Sequence, residues 1–327
     1  MVSNTKLVRE FICQYPNKPN RELAKLLFDK YPKLWGTVEA VRTSIRRIRG
    51  VSGKDKRNKI TDKSLFITEI VENTFGIPKS DAVELRPYIL TGSKALILSD
   101  IHIPYHDVNA LNTALKYAKA QKVDAIVLAG DVLDGYTLSK FEQNKLMRDF
   151  AGELSCGKVF LQSLRKHFPH AKIVYREGNH DYRFERYLMR EAPALIGVDE
   201  FDIKVLLRTF DHGVDYVKDK RIVKFGKLNI MHGDEFGGNA GGVNPARSMF
   251  LKALDCTLSG HNHRTSNHTE MSLDGKQISN WSIGCMCHLK PSYMPYNKWN
   301  HGFAIVELHD QDNYTVYNHC IINGKIY

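Results

Sequence analysis

The residues best equipped for chemistry fall into five short groups in a fixed order. They are Asp100-Ile101-His102, Gly130-Asp131-Val132-Leu133-Asp134, Gly178-Asn179-His180-Asp181, His232-Gly233 and Gly260-His261-Asn262-His263. Each group alone is commonplace, because a lone Asp-x-His or Gly-Asp is usually a turn or an ion pair. Together they offer carboxylate, imidazole and amide oxygen, without thiolate. That donor set suits Mn²⁺ first, with Fe, Zn²⁺ or Ni²⁺ as alternatives, and disfavours soft-metal sites. Asp100 and His102, at i and i+2, point the same way in extended chain and can share one ion. Glycine beside Asp131, Asn179, His232 and His261 lets the backbone turn sharply and bring its neighbour inward. The donors outnumber what one ion can take, which implies a pair sharing a bridging carboxylate.

Such a cluster needs a frame. The first three groups follow the apolar runs Ala95–Leu98, Ala125–Ala129 and Ile173–Tyr175. Short buried runs of this kind are typical of parallel strands covered on both faces, and α/β folds build sites at the carboxyl ends of such strands. His232 follows the strand Leu228–Met231, and His261 follows Cys256–Leu258. Val108–Ala120 and Leu146–His167 read as helices between strands, so the body is α/β. Ile222–Met231 and Gln277–Ile321 carry more alternating strand pattern.

In this order the motifs resemble the calcineurin-like metallophosphoesterase superfamily, whose pattern D-x-H, G-D-x-x-D, G-N-H-[DE], H, G-H-x-H is matched in full from Asp100 to His263. The resemblance implies a four-layer α/β/β/α sandwich of two mixed sheets over residues 93–327. It implies that one ion takes Asp100, His102, Asp131 and His263. The second takes Asp131, Asn179, His232 and His261, with Asp131 bridging. A metal-activated hydroxide would attack phosphorus in line. His180 would stabilise or protonate the leaving group, with Asp134 or Asp181 orienting its imidazole and Asp134 preferred.

Departures from the pattern narrow the class. The serine/threonine phosphatases of the superfamily carry arginine where this chain has Gly135, and they end the third motif in Glu rather than Asp181. The complete His261/His263 pair looks more like the phosphodiesterase and nuclease branches. Arg183, Arg186 and Arg264 lie near motifs and read as ordinary surface or structural residues, with holding a phosphate as the alternative. The layout also resembles phage-encoded metallophosphoesterases, through Gly284-Cys285 and the stretch Tyr293-x-Pro295-x-Asn297-x-Trp299-x-His301-Gly302. Tyr296, Trp299 and His301 there are expected to pack a second sheet, with lining the substrate cleft as the alternative.

The N-terminal fifth differs in kind. Of 327 residues, the first 60 hold 15 Lys/Arg against 5 Asp/Glu, while the remainder holds 32 against 31. A basic module on a neutral body has a polyanion as its natural partner. Residues 1–50 read as three short helices. Leu7, Val8, Phe11, Ile12 and Tyr15 recur at helical spacing until Pro16. Asn20 is placed to cap a second helix carrying Leu23, Leu26, Leu27 and Tyr31. Thr37 caps a third, Val38–Arg49, which Gly50 ends. Its apolar face is Val38, Val41, Ile45 and Ile48, and Arg42, Arg46, Arg47 and Arg49 occupy the rest. This resembles a helix-turn-helix unit, so those arginines are the candidate DNA contacts, with oligomerisation as the rival role. Residues 51–92 read as a basic linker, Val51–Lys59, followed by a segment wrapping the body.

Hydrophobic residues at 43% and charged residues at 25% exclude collagen-like and disordered classes. No apolar run approaches the roughly 20 residues of a membrane span, and Met1–Glu10 lacks the features of a secretory leader. A membrane partner is not expected. Cys13, Cys156, Cys256, Cys285, Cys287 and Cys320 are scattered, so reduced thiols in a cytoplasm (the host's, if phage-encoded) are expected. Cys285, Cys287 and His288 have the wrong spacing for a zinc knuckle and read as core. The expected function is a two-metal phosphodiesterase, a nuclease acting on nucleic acid. Hydrolysis of a small cyclic or linear nucleotide or a phosphomonoester is the alternative. A DNA-binding protein with a structural phosphoesterase body is a third.

Overall fold

The computed structural model describes residues 4–15, 18–49, 84–139, 149–237 and 242–327, with isolated positions between 76 and 82. The chain divides into two compact units, residues 1–82 and 83–327.

In the first unit, α1 (Asn4–Gln14), α2 (Asn20–Lys30) and α3 (Val38–Ile48) bury one apolar cluster. Val8, Phe11 and Ile12 meet Leu23, Ala24 and Leu27 of α2 and Val41, Ile45 and Ile48 of α3. These residues recur every three or four positions, so each helix turns one stripe inward. Thr37 Oγ1 accepts from Ala40 N at 3.2 Å and caps α3 as expected. Asn20 caps nothing. It lies inside α2 behind Pro19, and its Oδ1 accepts from Arg49 instead.

Arg49 corrects a second expectation, that it faces a polyanion. It is 1% exposed. Its guanidinium donates to Lys18 O at 2.8 Å, Asn20 Oδ1 at 2.9 Å and Tyr15 O at 3.1 Å. The last turn of α3 points this side chain at orphan carbonyls after α1, and five fixed donors suit that task. Arg46 is half-buried and Arg47 exposed, while Arg42 pairs with Glu39 at 3.0 Å. Pro16, Gly50 and the basic linker Val51–Lys59 lie outside the described residues.

The second unit is built on two mixed sheets. The first runs β13-β12-β11-β2-β3-β4-β5 and the second β1-β6-β7-β8-β10-β9. Strands β2 (Lys94–Leu98), β3 (Ala125–Leu128), β4 (Lys172–Arg176) and β5 (Val214–Val217) are parallel. On their other edge β11 (His301–Leu308) lies antiparallel, followed by β12 (Tyr314–Ile322) and β13 (Lys325–Ile326). The second sheet holds β1 (Tyr88–Ile89), β6 (Val223–Phe225), β7 (Leu228–Met231), β8 (Thr257–Ser259), β9 (Ser266–Met271) and β10 (Gln277–Ser282). The strand-rich stretch Ile222–Met231 is a hairpin reversing at Gly226 with φ 57°, and its second arm is the expected strand Leu228–Met231. Tyr88–Ile89, within the segment expected to wrap the body, is an edge strand paired with β6.

Alternation along the central strands sorts residues into two cores. Leu96, Leu98, Ile126, Leu128 and Ile173 face a cluster that includes Ala110, Ala114 and Ala118 of α4 (Val108–Ala120) and Leu161 and Leu164 of α5 (Phe150–His167). Ala95, Ile97, Ala125, Val127 and Val174 face Phe225, Leu228, Ile230 and Leu258 of the second sheet. Helix α7 (Pro245–Ala253, with α6 at Arg183–Glu191) packs on β8, β9 and β10. The order of layers is helix, sheet, sheet, helix. Helix α5 starts at Asp149, whose side chain accepts from Gly152 N, so Leu146 and Lys145 lie before it among undescribed residues.

Candidate metal centre

The carboxyl ends of β2, β3 and β4 carry Asp100, His102, Asp131, Asp134, Asn179, His180 and Asp181, and those of β7 and β8 carry His232, His261 and His263. The turns that aim them are unusual. Asp100 (φ 54°), His102 (φ 50°), Asp131 (φ 52°), His261 (φ 64°) and His263 (φ 54°) all lie in the left-handed region. Each costs on the order of 1 kcal/mol, and such strain gathers at functional sites. Asp100 and His102 are therefore not neighbours on an extended strand, as their spacing suggested. A tight turn brings Asp100 Oδ1 and His102 Nε2 to 4.0 Å.

Glycine is required by close approach at two of these turns. A Cβ on Gly178 would lie 2.2 Å from Asp131 Oδ1, and one on Gly260 would lie 1.9 Å from Ser99 Oγ and 2.6 Å from Asp100 Oδ2. Asp100 Oδ2 accepts from His261 N at 2.8 Å, tying the two sheets together at the rim.

Two groups of donors meet at Asp131. In one, His263 Nε2 is 3.1 Å from Asp100 Oδ1 and 3.2 Å from His102 Nε2. In the other, His232 Nε2 is 3.1 Å from both Asp131 Oδ2 and Asn179 Oδ1, and 3.3 Å from His261 Nδ1. Asp131 Oδ2 also lies 4.0 Å from His102 Nε2 and 3.9 Å from His180 Nε2, so it stands between the groups. All seven expected donors are thus brought together.

The donor chemistry fits cations. His232 Nδ1 faces the Ala129 carbonyl at 3.0 Å, so it donates and leaves Nε2 toward two oxygens. His102 Nδ1 likewise faces Asp134 Oδ1 at 2.8 Å. Asp100 Oδ1 is buried and faces the His263 imidazole at 3.1 Å. Burial depresses an imidazole, yet Asp131 outweighs it and pushes His232 up to about 10, and Asp100 does the same for His263, also to about 10. Burial raises the Asp100 and Asp131 carboxyls, but the surrounding imidazoles hold both well below the usual range. The centre therefore draws positive charge to itself. Among the described residues the geometrically compatible groups are Asp131, His232 and His261, then His102, Asp131 and His180, then His102, His263 and Cys287.

Around these donors the structure revises several expectations. His180 Nδ1 donates to Asp134 O at 2.8 Å, with Asp134 Oδ1 at 3.4 Å. Asp181 does not orient that ring. Its oxygens accept from Asp131 N, Gly178 N, Leu133 N and Tyr175 Oη, so it braces the loops after β3 and β4. Arg183 is not a bystander. It donates to Asp134 O at 2.9 Å and to His180 Nε2 at 3.0 Å, entering beside Gly135. Arg186 is exposed, and Arg264 donates to Gly242 O.

Cys285 and Cys287 are buried, but Cys287 Sγ also lies 3.8 Å from His263 Nδ1, beyond a core role. Trp299 does not pack a second sheet. Its ring lies on His263, centroids 4.1 Å apart. Tyr296 is exposed, and His301 on β11 reaches Cys287 O at 2.9 Å. Sequence reasoning also missed Glu235, which accepts from His232 N and Gly233 N and pairs with the buried Arg176. The available signal was an arginine ending a buried strand.

A two-sheet sandwich with this rim is that of a metal-dependent phosphoester hydrolase. The chain belongs to the calcineurin-like phosphoesterase family, whose pattern matches residues 93–265. It is 27% identical over 238 residues to the Gene 54 protein of Mycobacterium phage L5, covering 67% of this chain and 90% of that protein. The Gene 54 protein of Mycobacterium phage D29 is 25% identical over 233 residues, covering 65% and 88%. Among solved structures, Vacuolar Protein Sorting 29 from Cryptosporidium parvum is 17% identical with a TM-score of 0.40, covering 72% of this chain and 95% of that one. The Escherichia coli phosphoesterase Yfce is 15% identical with a TM-score of 0.34, covering 68% and 98%. Among the described residues no helix is long and apolar enough to cross a membrane.

Proposed function

We propose that the protein is a two-metal phosphodiesterase acting on nucleic acid, with residues 1–50 as a DNA-docking module. The observation that carries the reading is Asp131 Oδ2 standing between two groups of imidazole and oxygen donors. Asp100, His102, Asp131 and His263 would hold one divalent ion, and Asp131, Asn179, His232 and His261 the other. Mn²⁺ is the first candidate. When bound, such a pair lowers the pKa of water toward neutrality and polarises phosphoryl oxygens.

The chain's own residues supply the rest. His180 presents Nε2 toward the cluster while Asp134 O fixes its other nitrogen. Arg183 donates to that Nε2 and so brings a permanent positive charge to the same edge of the ring. Together they can stabilise charge on a leaving oxygen. Asp134 joins His102 to this pair, so the leaving-group side and the donor cluster are held in one geometry. Arg42, Arg46 and Arg47 on α3 remain as the phosphate contacts of the docking module.

The purified protein with Mn²⁺ is expected to cleave bis(p-nitrophenyl) phosphate and DNA, and Asp131→Asn to lose at least a hundredfold in kcat/KM. Cleavage of monoesters with diesters untouched would defeat the diesterase reading.

A further inference from the structure

A cavity of ≈ 470 Å³ opens beside the centre, with His102 and Asp134 in its wall. Its other walls are chiefly rings: Tyr105, Tyr136, Tyr293 and Trp299. Tyr293 is 69% exposed and Tyr105 40%, so neither is held there by a core. Tyr293 and Trp299 stand with centroids 6.5 Å apart at 64°, and Trp299 leans on His263. Polar groups interrupt the rings. Lys290 and Ser292 lie at the wall, with His106 and His288 beside them.

Ring faces mixed with donors and acceptors suit a planar, polar heterocycle better than an alkyl chain or a peptide. The cavity adjoins the residues that would hold the scissile phosphate, so a group covalently attached to that phosphate can reach it. Its volume has room for one base with its sugar.

We infer that this cavity takes a single unstacked nucleobase next to the scissile phosphate, with Tyr105, Tyr293 and Trp299 as specificity-determining residues. This rests on the diesterase reading and makes it more specific. A base inside the cavity has left its stack, so the substrate is single-stranded, frayed, or a free nucleotide.

The test compares two diesters with Mn²⁺ and the full chain: the p-nitrophenyl ester of thymidine 5′-phosphate, and methyl p-nitrophenyl phosphate, which has no base. The nucleoside ester is expected to be favoured about tenfold or more in kcat/KM. Tyr293→Ala and Trp299→Ala should collapse that ratio toward one, chiefly through KM, and Trp299→Phe should restore most of it. Equal use of both esters, or a preference untouched by Tyr293→Ala, overturns the inference while leaving the diesterase reading intact. If neither ester is cut, the diesterase reading fails by itself. Equilibrium dialysis of thymidine 5′-monophosphate, weakened severalfold by Tyr293→Ala or not, then decides the cavity. Oligonucleotides separate the sources. Single strands cut faster than duplex support the inference, a 2′,3′-cyclic nucleotide cut faster still assigns the cavity to free nucleotides, and duplex cut fastest overturns it.

Discussion

Asp181 shows how a side chain inside a motif can serve the frame rather than the chemistry. Four donors converge on its two oxygens. Removing them strands buried N–H groups in the loops that carry Asp131 and Asn179. Asp181→Ala is expected to cost about 3 kcal/mol or more of stability, read as a lower midpoint in urea. Glu153 is the other informative single residue. Burial, with Asp134 and Asp181 nearby, pushes it up to about 8 from 4.5, against the lowering pull of the Gly135 amide. The folded protein therefore holds this proton more tightly than the unfolded chain does. Its contribution to stability is complete below about pH 4.5 and is lost as pH rises through about 8. Glu153→Gln should flatten that decline, so thermal melts of variant and parent should diverge between those limits, with the variant the more stable at pH 8.

Among the elements, α3 separates packing from recognition on a single helix. Arg49 is sealed against α1 and α2 by three acceptors, whereas Arg47 faces solvent. Arg49→Ala should lower the melting temperature of the three-helix unit, because it removes the guanidinium that ties Tyr15 O, Lys18 O and Asn20 Oδ1 together. Arg46→Ala and Arg47→Ala should leave that transition in place, weaken DNA binding severalfold, and reduce its salt dependence. A stable Arg49→Ala variant with impaired DNA binding would reverse the assignment.

For the whole molecule, charge and coordination are divided between units. The positive excess sits almost wholly in the first 60 residues, where 15 Lys/Arg face 5 Asp/Glu. A chain lacking residues 1–50 is therefore expected to keep its turnover of bis(p-nitrophenyl) phosphate and to lose salt-sensitive affinity for polynucleotide. Divalent ions should stabilise the second unit by linkage. At a hundredfold excess over Kd, Mn²⁺ should add about 2.7 kcal/mol, seen as an upward shift in melting that EDTA reverses and Asp131→Asn abolishes.

The donor set and its order were legible in the chain itself, as were the buried strands, the helices between them and the inward stripe of α3. These are properties of short stretches: side-chain chemistry, period and capping act over a few residues. Spacing did not say which groups complete one another; the family resemblance grouped the donors, and tertiary structure set their contacts. His102 meets His263 across 161 positions, and Asp181 is claimed by backbone amides up to 50 positions away. Tertiary structure also set the left-handed turns at Asp100 and His102, the burial of Arg49, and the ring-lined cavity that Trp299 joins. Hydrogen bonds and cavities are finished by whatever surface the fold brings opposite, and no local spacing encodes that surface.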